Sequence, residues 1–418
     1  MKLAEPSLAR PFRALRPAPG RADDVASPPY DVVNTAEARA LADGRPYSFL
    51  HVSRAEIDFA DTLDPYSDEV YAAAAANLRR FEHDGVLRRD AQPGFYLYRM
   101  TRGAHAQTGI AFAASVDAYR EGRIRKHELT RPAKETDRVK QIDAVNAITG
   151  PVFLVHRALP ALARLIEHES TRAPDTTAAD VDGVRHDIWA VFDDDMIAAI
   201  AAGFESMSTL YIADGHHRSA AAARIAEARR AAHPDYSGAE AFNGFLAVSF
   251  PDDEVEILDY NRLVRDLNGH STQSLLAALA VHFTITPSNA PVSPAAPRTY
   301  GMYLAGQWHE LTLTTAIDLN DPVARLDVSV LDDFVLAPLL GIDDPRTSPR
   351  IDFVGGSRGP EAIAARVDSG EMAAGFMLHP TALADLMSVA DADRIMPPKS
   401  TWFDPKLADG LLSLPLDD

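Results

Sequence analysis

Between Ser208 and Arg224 the sequence changes character within a few residues, and that change sets the terms for the rest of the chain. Leu210-Tyr-Ile-Ala213 is a short apolar run with β-branched and aromatic members, which predicts a buried strand. Asp214-Gly215 breaks it. From Ser219 the composition turns to Ala, Glu and Arg, strong helix formers, so a helix is expected there. His216, His217 and Arg218 are thereby confined to a strand-to-helix corner. The N–H groups and positive dipole end of a helix start favour anions. Gly215 lets a ligand approach the backbone, and Arg218 offers a two-pronged grip on phosphate or carboxylate. The two histidines supply protons or neutral hydrogen bonds near pH 7. Asp-Gly is also an ordinary turn, and Asp an ordinary helix cap. Four functional side chains in five residues favour a phosphate or metal corner over a turn alone.

A second concentration of chemistry precedes it. Ile124 to Lys140 carries Arg125, Lys126, Arg131, Lys134, Arg138 and Lys140, together with His127 and Glu128. Thr136 or Asp137 is placed to cap a helix through Val139, Ile142 and Val145, with Arg138 and Lys140 in its first turns. Cations there oppose the helix dipole. A bound anion resolves the conflict, and a solvated charge run is the alternative. This basic island is notable because the chain as a whole is acidic, with a net charge of −19. That balance argues against a non-specific hold on nucleic acid or on an anionic membrane.

Other features narrow the class. No cysteine is present, which removes disulfides, thiolate nucleophiles and Cys-ligated zinc. Met1 to Pro19 holds three Arg, four Pro and no apolar run, so no signal peptide is expected. No segment approaches a membrane span. A cytoplasmic protein follows as the expectation.

At 418 residues the chain is expected to divide. Asn34-Thr-Ala-Glu37 reads as a helix cap. Tyr47 to Arg54 alternates like a strand, Tyr66 to Glu82 reads as a helix, and Phe95–Met100 with Thr108–Val116 as consecutive strands. Tyr30 and Asp31 follow a rigid Pro-Pro, a way to hold side chains at a pocket rim. Gly150 to His156 is a turn and a buried strand. Residues 157 to 207 look like a mixed excursion. Phe242–Phe250 is a core strand, and Asp259, Tyr260, Asn261 and Arg262 are candidate pocket residues. Residues 286–298, rich in Pro and Ala, mark a linker. Lys399, Ser400 and Thr401 sit where they could reach an anion, with Trp402 and Phe403 as anchors. The expected domains are residues 1–120, 121–285 and 286–418.

Several blocks in order, Pro-Phe-Arg-Ala-Leu-Arg-Pro, Pro-Pro-Tyr-Asp-Val-Val, Lys-His-Glu with Thr-Arg-Pro, Tyr-Ile-Ala-Asp-Gly-His-His-Arg and Met-Pro-Pro-Lys-Ser-Thr, resemble the family catalogued as domain of unknown function 1015, DUF1015. More remotely, a strand followed by Asp-Gly-His-His-Arg and a helix resembles the ParB/sulfiredoxin-like superfamily, which includes free-serine kinases. The fold implied is α+β, mixed small sheets with packed helices. A ParB/sulfiredoxin-like core, carrying an insertion of about fifty residues, sits between N- and C-terminal α/β extensions.

The resemblance implies a nucleotide-dependent kinase that phosphorylates a hydroxyl of a small polar metabolite, with free L-serine as the best guess. ATP or ADP is the expected donor, with Mg²⁺. Glu128 is the implied base, and Asp214 the implied Mg²⁺ ligand. His216, His217 and Arg218 stabilise the moving phosphoryl. Gly215, Ser219, Lys126, His127, Arg131, Lys134 and Arg138 complete the nucleotide and substrate site. The expected partners are a nucleotide and a small molecule, and a homodimer is left open. Two alternatives stand: a ParB-like nucleotide switch or DNA-associated protein, against which the charge counts, and a metal-dependent hydrolase using His51, His127, His216, His217 and Asp214.

Overall fold

The computed structural model describes residues 7–179 and 183–417. Part of the leader-free reading, residues 1–6, and residues 180–182 of the 157–207 stretch lie outside these. The architecture is α+β. Contacts cluster into two compact units, Met1–Val255 with Pro405–Asp418, and Glu256–Asp404.

The first unit is built on a nine-stranded sheet. Its strands are β1 (Ala9–Arg10), β2 (Phe95–Arg102), β3 (His105–Ser115), β4 (Ile124–Arg125), β5 (Val152–His156), β6 (Thr176–Ala179), β7 (Arg185–Val191), β8 (Leu210–Asp214) and β9 (Gly244–Pro251). Their order is β4-β8-β5-β9-β3-β2-β7-β6, with β1 also paired to β3. β4 runs parallel to β8, and β5 parallel to β9; the other pairs are antiparallel. Every residue of β5 and β9 is buried, as expected for strands covered on both faces.

The helices that shape the site are α1 (Thr35–Ala42), α2 (Leu50–Ser53), α3 (Asp68–His83), α4 (Pro132–Val145) and α5 (His216–Ala232). α1 opens on the expected capping box between Asn34 and Glu37. The strand read at Tyr47–Arg54 is instead the short helix α2. Phe49 and Val52, three residues apart, enter one core with α3, while Leu50 enters another with Ala38 and Ile57. A short apolar run does not distinguish that spacing from a strand.

The expected boundaries meet the tertiary pairing differently. A division at residue 120 separates β3 from β9, which pair along their length. The 157–207 stretch is not detached, since β6 and β7 extend the sheet beyond β2. The chain end also returns to the first unit, where Leu414–Pro415 pairs with Ala147–Ile148.

The second unit carries a six-stranded antiparallel sheet of β10 (Tyr260–Val264), β11 (Phe283–Ser288), β12 (Thr299–Leu304), β13 (Gln307–Leu313), β14 (Ile351–Gly355) and β15 (Ala374–Leu378), in the order β11-β13-β12-β15-β10-β14. The division at residue 285 falls within β11, and the Pro-rich linker joins two strands of one sheet. Asn261 and Arg262 are interior residues of this unit: Asn261 bridges Asp259 and the Leu378 amide, and Arg262 donates to the Tyr260 and Pro398 carbonyls. Burial lowers the Arg262 guanidinium to about 10. Ser400 is buried and donates to the Pro397 carbonyl (2.6 Å), and Lys399 lies over the Tyr260 ring. Trp402 packs edge-on against Tyr260, as an anchor should. Among the described residues no helix is long and apolar enough to cross a membrane.

Candidate functional site

The corner forms where sequence placed it. The pairing of β8 with β5 slips between Ile212 and Asp214, so that Asp214 faces Phe153. Such a bulge re-aims the side chains beyond it. Gly215 follows with φ of 100°. A Cβ there would stand 3.1 Å from Arg218 Nε and 3.3 Å from Val152 Cα, so both backbone conformation and space require glycine. Gly215, not Asp214, is the N-cap, and α5 begins at His216, three residues before the expected start. His216, His217 and Arg218 therefore form the first turn. No side chain caps this helix start and no acidic residue lies in its first turn, which leaves its dipole uncompensated by the helix itself.

Around the turn lies a cluster of charge, with Arg218 and Asp409 buried and Asp214 and Lys406 half-buried. Asp214 Oδ2 meets Lys406 Nζ at 3.1 Å and Arg218 Nη2 at 3.4 Å. Burial alone would raise the Asp214 pKa, but Lys406 and Arg218 outweigh it and hold the carboxyl well below the usual range. Arg218 also reaches Asp31 at 3.6 Å and donates to the Pro151 carbonyl. Burial disfavours its charge, and Asp31 and Asp214 more than restore it. Asp409, 2% exposed, is pushed up to about 7 by burial against the pull of Arg218.

The basic segment is fastened across the helix start. β4 runs parallel to β8, pairing Ile124 with Leu210 and Arg125 with Tyr211, and the chain then passes over α5. The His127 amide donates to His216 Nε2 at 3.4 Å, and the Arg131 amide to His217 Nε2 at 2.9 Å. The His127 and His216 rings meet edge to face, 4.5 Å between centroids. Ligand atoms of His127, Glu128 and His216 all lie within 4.8 Å of one another. Burial lowers His127 to about 4 and His216 well below its ordinary value. Both are neutral at pH 7, which leaves His216 hydrogen bonding rather than proton supply.

The remaining expected residues separate. Ser219 is buried and spends its hydroxyl on the His216 carbonyl at 3.1 Å. Lys126, Arg131 and Lys134 are exposed, and Lys134 Nζ is held by the Tyr66 hydroxyl at 3.0 Å. α4 starts at Pro132, not at Thr136 or Asp137, so Arg138 and Lys140 stand past its first turn and the conflict with the dipole does not arise. Arg138 pairs with Asp137 and stacks 3.9 Å from the Tyr30 ring centre. Arg138, Arg218, Tyr30, Ser53 and Asp409 border one narrow cleft, with about 20 Å³ of space for the centre of a water-sized molecule. Ser53 Oγ, Arg218 Nε and Asp409 Oδ1 are buried in it without a hydrogen-bond partner. His51 is committed elsewhere, to Asp58 at 2.6 Å and the Arg45 carbonyl, so it does not join the other histidines.

As a magnesium ligand Asp214 fits poorly, because the oxygen it presents is already shared by two cations. Lys406 and Asp409 were not foreseen. The trace they left in sequence is a lysine fixed after Pro405 and an aspartate before Gly410 in a leucine-rich tail.

A family model described as "Protein of unknown function (DUF1015)" matches residues 9–329. Among solved structures, a C-terminally truncated SbnI from Staphylococcus aureus is similar at 12% identity and TM-score 0.39, covering 73% of this chain and 87% of that one. A conserved hypothetical protein from Pyrococcus furiosus is similar at 11% identity and TM-score 0.35, covering 75% and 96%. A free serine kinase in complex with AMP is similar at 11% identity and TM-score 0.34, covering 72% and 92%. No curated protein matches the sequence.

Proposed function

This chain belongs to the DUF1015 family, and on that premise we propose that it is a small-molecule kinase, transferring a phosphoryl group from a nucleotide, ATP or ADP, to the hydroxyl of a small polar metabolite, with free L-serine the first acceptor to try. The observation that carries the reading is the fastening of Lys126–Arg131 over the start of α5, with the Glu128 carboxylate close to the His216 ring in the first turn of that helix. Phosphoryl transfer asks chiefly for positioning and for charge to meet the equatorial oxygens.

In this reading the first-turn N–H groups of α5 and Arg218 receive the phosphate oxygens. Glu128 takes the proton of the acceptor hydroxyl as its oxygen attacks phosphorus, and the bond to the leaving phosphate oxygen breaks with its electron pair. His217 and Lys406 add donors at the transferring group. Asp214 orients Lys406 and Arg218. Arg138, at the cleft, holds an acceptor carboxylate.

The test is a screen of ATP, ADP, CTP and pyrophosphate against hydroxylated amino acids, with phosphorylated product detected by mass spectrometry. Glu128→Gln should abolish product while nucleotide binding survives. Loss of nucleotide binding in that variant would move Glu128 out of the base role.

A further inference from the structure

We propose that His127, Glu128 and His216 form a binding site for one first-row transition-metal ion of the zinc class. Their ligand atoms lie within 4.8 Å of one another. Two imidazole nitrogens and one carboxylate oxygen suit zinc and its neighbours, whereas magnesium prefers oxygen ligands alone.

The histidines are arranged for ligation. His127 is buried and its Nδ1 has no hydrogen-bond partner. A polar atom left so in the protein interior is costly, and an ion on its lone pair would satisfy it. His216 Nε2 is unprotonated, and its lone pair is held only by the long 3.4 Å bond from the His127 amide, which a bound ion would displace. Glu128 is half-buried and supplies negative charge to the cation. His127 and Glu128 follow the β4–β8 pairing and His216 opens α5, so the ligand set hangs on hydrogen-bonded backbone.

Binding of such an ion does not depend on the kinase reading. Its consequence does: an ion on Glu128 occupies the carboxylate assigned above to proton transfer, so zinc would oppose the reaction and a chelator restore it.

The test is titration of chelator-treated full-length protein with Co²⁺, followed by visible absorption and equilibrium dialysis, with no nucleotide or acceptor present. One ion per chain is expected, undiminished by excess Mg²⁺. Glu128→Gln and His127→Ala should each weaken binding by more than about tenfold. His233→Ala, at an exposed histidine, should leave it unchanged. Absence of stoichiometric binding, or its survival in Glu128→Gln, overturns the proposal. If His127→Ala does not fold, Glu128→Gln decides alone. Phosphoryl transfer is not read in this titration, so either idea can fail without the other.

Discussion

Lys406 Nζ lies 3.1 Å from Asp214 Oδ2, although 192 positions of sequence separate the two. The chain end thus supplies a cation to the centre of the first unit, and with Arg218 it keeps Asp214 charged despite burial. Lys406→Met removes one of the two cations on that oxygen. The expected loss is about 1–3 kcal/mol, the cost of leaving a half-buried charged group short of a partner. Urea unfolding measures it. A midpoint unchanged from the native protein would show that the pair contributes nothing.

Gly215→Ala places a methyl group 3.1 Å from Arg218 Nε at a backbone φ of 100°. Strain of this kind costs about 1–3 kcal/mol, and the nearest atom able to yield is the guanidinium itself. Nucleotide affinity, read by calorimetry, should therefore fall together with the melting temperature. Full affinity in a destabilised variant would separate Arg218 from ligand binding.

Arg218→Lys tests whether shape or charge matters at the helix start. Lysine keeps the charge and loses the planar fork. The expected result is folded protein with nucleotide binding weakened at least about tenfold, since one good bidentate contact is worth a kilocalorie or more. Equal binding by Arg218→Lys and native protein would reduce the residue to a point charge.

Acid should weaken the fold through its buried histidines. His127 and His156 sit at about 4 and His216 well below its ordinary value, burial being the first cause of each. The unfolded chain takes up these protons near pH 6.5 and the native protein does not. Stability is then complete above about pH 6.5 and falls as pH drops toward 4. Urea melts at pH 7, 6 and 5 should show the decline, and His156→Gln should make it shallower. A flat profile across that range would mean that the rings protonate in place.

Asp409 gives the opposite slope. Its carboxyl is raised to about 7 by burial, so the native state holds the proton longer than the unfolded chain. The resulting penalty is absent below about pH 4, grows as pH rises and is complete above 7. Asp409→Asn should stabilise the protein at pH 8 and change little at pH 4. Greater stability of the native protein at pH 8 would instead make the ionised carboxylate a needed partner of Arg218.

Local chemistry was legible wherever neighbouring residues decide it. The β8–Gly215–α5 turn follows from an apolar run, a glycine and an alanine-rich helix, all within reach of one another. The capping box at Asn34 and the hairpin of β2 and β3 follow for the same reason. α2 was misread because Phe49, Leu50 and Val52 serve two cores at once, and a four-residue pattern does not reveal which neighbours will cover it.

By itself, the sequence determined that a strand would end at Asp214 in an anion-seeking turn, and that a basic segment stood ready elsewhere in the chain. Only the tertiary structure decided which residues meet there. β4 lies against β8 and not another edge, the last fourteen residues bring Lys406 and Asp409 back to the first unit, and 157–207 extends the sheet rather than interrupting it. The physical reason is range: a turn is set by the sterics and hydrogen bonds of a few adjacent residues, whereas strand order and buried ion pairs depend on which distant surfaces exclude water together.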